Sequence, residues 1–237
     1  MRQAKPFALT LGVLALAALW WPLQAALRPA PDELAAWRVL AGSANDGIAT
    51  LRLQLAAATG QVAAARLLGL ALLERGEDAA ARGWLHRAAE AGDGAAQLAL
   101  GKLLYRRPAD APAAAMWLAQ AVVHGQPAAA HYLGLLHKNG APGLAADGAE
   151  AERWLRVAAE AGIPDSQFLL AQMLLPADPA QARGWLEKAA EQEHPEAAQQ
   201  LAMAYQRGEL GLQADPQAAA RQLAEAQHAL RHRPPAP

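Results

Sequence analysis

Trp154-Leu155-Arg156-Val157-Ala158-Ala159-Glu160-Ala161-Gly162 is the stretch from which the rest of the chain can be read. Its opening phrase, Trp-Leu-x-x-Ala, recurs at Trp84, Trp117 and Trp185, and the same frame without its tryptophan fits at Arg52 and Gln222. Between positions 52, 84, 117, 154, 185 and 222 the spacings are 32, 33, 37, 31 and 37 residues. That is the period of helical-pair repeats. In such arrays function is carried by surfaces shared between repeats and not by a catalytic pocket.

The punctuation around the frame divides each repeat in two. Seven residues before each frame position stand Asn45, Glu77, Asp110, Asp147, Asp178 and Asp215. Short oxygen-bearing side chains here predict the N-caps of second helices, with Asp78 able to replace Glu77 one residue later. Pro179 and Pro216 follow at the first helical position, where a missing N–H costs nothing. Eight residues after the frame come Gly60, Gly92, Gly125 and Gly162, then Glu193 in the fifth copy; glycine suits a left-handed helix terminus.

Counting on from those positions gives the first helix of the following pair. Plus four is Ala64, Ala96, Ala129, Ser166 and Ala197; plus eight is Leu68, Leu100, Leu133, Leu170 and Leu201; plus nine is Gly69, Gly101, Gly134, Ala171 and Ala202. These rows share one helical stripe, and the plus-nine row accepts only a hydrogen or a methyl. The second helices carry their own stripe, with alanines such as Ala151 and Ala158 flanking the tryptophan and leucine. Trp154 is therefore expected between its own pair and the neighbouring repeat. His137 occupies plus twelve, where other copies carry Leu72, Leu104, Leu174 and Tyr205, and reads as a packed core histidine.

Composition agrees. Hydrophobic residues make up 54% of the chain and aromatics only 5%, with alanine and leucine dominant, which favours helix over strand. A net charge of −1 supplies no basic field, so nucleic acid is not an expected partner. Cysteine is absent, removing disulfides and thiolate chemistry. The predicted fold class is all-α, an α-solenoid of about six antiparallel helix pairs over residues 32–230. A short proline-bearing spacer at 28–31 precedes it, and a proline-rich tail expected to be disordered follows at 231–237.

Residues 1–27 supply the address. Arg2 and Lys5 precede an uncharged apolar stretch from Phe7 to Leu27. As a transmembrane anchor it is long enough to cross roughly 30 Å of hydrocarbon, with Trp20 and Trp21 as an interfacial pair. As a cleavable signal peptide it has Pro22 as a helix breaker and Leu23-Gln24-Ala25 before the cut. Both readings export the remainder. The first gives an inner-membrane single-pass protein with its repeats in the periplasm, the second a soluble periplasmic one.

The phrase from Ala130 to Asp147, Ala-His-Tyr-Leu-Gly-Leu-Leu-His-Lys-Asn-Gly-Ala-Pro-Gly-Leu-Ala-Ala-Asp, leads into Ala151-Glu152-Arg153-Trp154-Leu155 and Ala158-Ala159-Glu160-Ala161-Gly162. Together they resemble one full Sel1-like repeat, a branch of the tetratricopeptide-type helical repeats, and the resemblance runs over about residues 46–230. It implies a right-handed superhelix whose first helices line a concave side, serving as a scaffold for protein assembly. Some cysteine-rich relatives act on β-lactams, but their disulfide framework has no counterpart here.

Catalytic chemistry is scarce. Of the two serines, Ser43 and Ser166, neither lies in Gly-x-Ser-x-Gly, and Ser166 occupies the small-residue row. His228 and His232 are spaced four apart without a third ligand at matching spacing, so no metal site is expected. No catalytic residue, cofactor or small-molecule substrate is assigned.

The first helices carry a row that varies from copy to copy, at plus six, ten and thirteen: Leu98, Lys102 and Tyr105; His131, Leu135 and Lys138; Phe168, Gln172 and Leu175. It reads either as packing between adjacent first helices or as a groove for a partner segment. Lys102, Tyr105, His131, Lys138, Phe168 and Gln172 are the candidate partner-binding residues, the two lysines favouring an acidic segment. The function expected is a scaffold for another envelope protein. A binder of cell-wall glycan or another polymer is the alternative, followed by a β-lactam-acting hydrolase.

Overall fold

The computed structural model describes residues 29–232. These form α1 (Pro31–Gly42), α2 (Gly47–Ala58), α3 (Val62–Glu74), α4 (Asp78–Glu90), α5 (Gly94–Tyr105) and α6 (Ala111–Val123). They continue with α7 (Ala128–Asn139), α8 (Gly148–Glu160), α9 (Pro164–Leu174), α10 (Pro179–Glu191), α11 (Pro195–Arg207) and α12 (Pro216–His232). Among the described residues the only extended pairing is an isolated bridge, Ala141 to Leu144. Taken in order the helices make six pairs, so the fold class is the expected all-α solenoid type. The segment from Phe7 to Leu27, with its anchor and signal-peptide readings, lies outside the described residues, as does the end of the tail beyond His232. Among the described residues no helix is long and apolar enough to cross a membrane.

The chain divides into two compact units between Ala96 and Gln97. In the first, α1 packs on α2 and α3, and α3 packs on α2 and α4. In the second, each helix from α6 to α12 packs on the next. A core running through Leu155, Leu170, Leu174, Trp185, Leu186 and Leu201 joins three successive repeats there.

One contact explains why the frame repeats. A Cβ added to Gly69 would stand 2.6 Å from Leu85 Cγ, one on Gly101 2.6 Å from Leu118 Cγ, and one on Gly134 2.5 Å from Leu155 Cγ. Carbon atoms pack at about 3.5–4.0 Å, so in these three copies the leucine of Trp-Leu is a knob that needs a hydrogen opposite it. Leu85, Leu118, Leu155 and Leu186 are all fully buried, each worth about 1.5–3 kcal/mol in area removed from water.

The same geometry corrects the tryptophans. Trp84, Trp117 and Trp154 are only half-buried, and Trp185 alone reaches the core. A residue one position before the knob points about 100° away around the helix. Pointing the leucine straight at its glycine therefore leaves the indole on the rim. Cations lie over these rings: Arg87 at 4.9 Å from Trp84, Arg153 at 4.2 Å from Trp154 and Lys188 at 4.2 Å from Trp185. His137 is likewise half-buried and not a core residue.

Helix ends mostly follow the expected punctuation. Asp147 accepts from the Ala149 and Glu150 N–H groups at 2.9 and 3.0 Å, Asp178 from Gln181, and Asp215 from Gln217 and Ala218. In the first copy the cap is Asp46, accepting from Ile48 and Ala49 at 2.7 and 3.1 Å. Asn45, expected in that role, instead takes a left-handed φ of 51°. Asp110 closes a 3-10 turn, Pro108–Asp110, ahead of α6, and Glu77 holds its N-cap position without a side-chain cap bond.

Gly60, Gly92, Gly125 and Gly162 have φ between 76° and 88°, and Glu193 keeps the same turn at 60°. The two spacings of 37 residues also have a cause. Both span the longer loops, 140–147 and 208–215, where Asp147 N–H reaches back to His137 C=O at 2.7 Å and Asp215 N–H to Tyr205 C=O at 2.9 Å.

Candidate functional site

The variable row lies on α5, α7, α9 and α11, and its side chains follow a fixed contact rule within the second unit. Plus ten of one repeat meets plus seven of the next: Lys102 Nζ stands 5.3 Å over the Tyr132 ring, and Gln172 donates to Gln200. Plus six meets the beginning of the next first helix: His131 Nδ1 and the Ser166 hydroxyl share a hydrogen bond of 2.8 Å, and Phe168 stacks on His194 at 4.8 Å. The plus-six residues are thus packed between first helices, and the open surface lies beside them.

That surface has two parts. In the first, Tyr132 is the hub. Tyr105 meets its ring edge-on at 5.4 Å, His131 at 5.3 Å, and Lys102 caps it. Burial, and then Tyr132 beside it, raises the Tyr105 phenol above its ordinary value, so the group stays a hydrogen-bond donor. In the second part a shallow depression of about 280 Å³ is lined by His131, Leu135, Asp165, Phe168, Leu169, His194 and Glu196. Burial pushes His131 below the ordinary imidazole value; Asp165 opposes that shift and Lys102 reinforces it. The imidazole is accordingly neutral near pH 7.

His194 is the residue that the sequence pattern missed. It is buried, 8% exposed, at the N-cap of α11, where its Nδ1 accepts the Ala197 N–H at 3.3 Å. Capping needs a lone pair on Nδ1, which places the ring proton on Nε2, 3.2 Å from Asp165 Oδ1. Glu196 lies 3.4 Å from Nδ1 and adds a second carboxylate at the rim. The signal was present: His194 stands at plus one, where Asp93 in an earlier copy caps Ala96 N–H at 2.9 Å. Asp165 and Glu196 gave no such signal, because their role depends on a neighbour from another repeat.

Of the six expected residues, Lys102, Tyr105 and His131 converge on Tyr132, and Phe168 joins His131 in the depression. Gln172 is taken up by Gln200. Lys138 is exposed near the end of α7 and is not among the lining residues. A larger depression of about 450 Å³ near the C-terminal end is dominated by Glu187, Glu191, Glu193 and Glu225. Its carboxylates would repel the acidic segment that the lysines attract.

A family model described as the Sel1 repeat matches residues 61–93, 94–122, 127–163, 164–194 and 195–226. The chain belongs to the Sel1 repeat family. The matched Sel1 repeats start later than the resemblance read from the sequence, so the pair α1 and α2 falls outside them. A solved Sel1 repeat protein from Oxalobacter formigenes is 26% identical, with a TM-score of 0.66, and the match covers 77% of this chain and 79% of that one. A protective antigen present in uropathogenic Escherichia coli strains, displaying an SLR fold, is 25% identical with a TM-score of 0.67. That match covers 77% of this chain but 41% of the antigen, so the chain spans about two-fifths of its length. No curated protein matches the sequence. As a Sel1-repeat helical scaffold the chain is of a kind typical of protein–protein interaction.

Proposed function

We propose that this Sel1 repeat protein is an exported, membrane-anchored scaffold of a bacterial envelope complex, holding a segment of another envelope protein on its first-helix face. The observation that carries the reading is the Tyr132 hub, which sets Lys102 beside a depression with apolar walls. A segment with an acidic residue for Lys102 and an apolar one for the Leu135, Phe168 and Leu169 walls suits that surface, provided its acid is held clear of Asp165 and Glu196. The aromatic rings pack edge-on or against one another, leaving no flat platform of the kind that sugars stack on, which favours a protein partner over a glycan.

A photoreactive amino acid in place of Lys102 should give a discrete adduct in intact cells, and one in place of Glu187 should not. An adduct from position 187 alone would move the interface to the second-helix face. For the anchor, the full chain should stay with membranes after a carbonate wash. An N-terminus at Ala26 in the mature protein would decide for signal cleavage instead.

A further inference from the structure

The second helix of the first pair lacks the charge that α4 and α10 carry on their outer face. At the positions where α4 exposes His86, Arg87 and Glu90, and α10 exposes Glu187, Lys188 and Glu191, α2 has Gln54, Leu55 and Ala58. Leu55 and Ala58 with Ile48 and Leu51 make an apolar row at spacings of three and four residues, one face of the helix. The row is open: Ile48 is 67% exposed, Leu51 53% and Leu55 59%, and Val39 of α1 adds 52%. α6 also lacks charge there, with Ala119, Gln120 and an 81% exposed Val123, but only α2 sets three large apolar side chains in the open along one face among the described second helices.

We infer that the α1–α2 pair lies on the phospholipid surface, with Ile48, Leu51 and Leu55 sunk among the acyl chains. This rests on the anchor reading of Phe7 to Leu27. Position carries the argument: only residues 28–30 separate that stretch from Pro31, where α1 begins. Four peptide steps reach at most roughly 14 Å, about the width of one helix with its side chains. With that stretch in the membrane, the start of α1 is held close to the interface. The pair's chemistry suits that place. The apolar row is flanked by exposed Arg52, whose guanidinium lies 5.4 Å over the half-buried Trp37 ring. Such a cation and indole beside an apolar face are the usual furniture of helices lying in the headgroup region.

Because the chain has no cysteine of its own, single cysteines can be placed by Leu51→Cys, Leu55→Cys and, as a control, Glu191→Cys in the full chain. Each variant is labelled with an environment-sensitive dye and reconstituted into phosphatidylcholine–phosphatidylglycerol vesicles carrying nitroxide lipids. At positions 51 and 55 the emission should be blue-shifted and quenched several-fold more than at 191. A blue shift that nitroxide lipids leave unquenched, and that grows with protein density, would show a second copy covering the row and overturn the inference. Emission at 51 and 55 equal to that at 191, from chains that remain on the vesicles, overturns it while sparing the anchor. Chains that wash off the vesicles overturn both.

Discussion

Leu155 and Gly134 act as one object. The knob is fully buried, and the glycine opposite it has no room for a methyl. Leu155→Ala should cost about 2–5 kcal/mol in denaturant melts, and Gly134→Ala about 1–3 kcal/mol by overpacking. With both substitutions the new methyl enters the space that the leucine left, so the costs should fall short of additive. Additive costs would separate the two residues. Trp154→Ala should lose about half the ~3–5 kcal/mol of a fully buried tryptophan, since its indole sits on the rim. The alternation of tryptophan and leucine was plain in the sequence, but which of them faces the glycine was not. A stripe is about a third of a turn wide, and only the backbone sets its centre. His131 adds a pH dependence. Its folded value lies below the ordinary 6.5, so the unfolded chain binds more protons in the window just below that value. Stability contributed by the neutral ring is complete above about pH 6.5 and is lost as the pH falls through the folded value. His131→Gln should flatten the difference in denaturant midpoint between about pH 7.5 and pH 5.5; an unchanged difference would assign it to another group.

At the scale of the helix, the ends were the most legible elements because geometry, not partnership, selects their residues. A left-handed turn asks for glycine in every copy, and the four that have it share one φ range. The fifth copy tests the rule. Glu193 holds φ 60° with a side chain, in a conformation that costs an L-residue roughly 1–2 kcal/mol. Glu193→Gly should therefore raise the thermal midpoint, while Gly162→Ala should lower it, although a Cβ at Gly162 would meet nothing within 4 Å. If Gly162→Ala were neutral, the turn would not be the reason for the glycine. Caps could be read to within a residue: Asp46 took the place expected for its neighbour because two adjacent oxygen-bearing side chains compete for the same amides. The face of the first helices was the least legible. Asp165 and Glu196 come from two repeats and act through His194, and no spacing within one repeat reports that grouping.

Over the whole molecule the repeat frame makes a prediction about length. Removing residues 163–193 joins Gly162 to His194 and leaves every plus-four, plus-eight and plus-nine residue in phase. Such a chain should stay helical and melt cooperatively at a lower temperature, as nearest-neighbour stacking requires. Removing 163–177 instead takes a first helix from its pair and should abolish the cooperative melt; circular dichroism distinguishes the two. The contact rule of the first helices has another consequence, for chimaeras. Plus-six residues are matched to residues at plus one to plus four of the next repeat, and plus-ten residues to plus seven. A crossover that keeps the first kind of match must fall between plus four and plus six, and one that keeps the second between plus seven and plus ten. No single crossover spares both. Repeats swapped between relatives will therefore break one set of partners at each junction, and a graft of this surface has to carry two consecutive repeats and recode the edges of both.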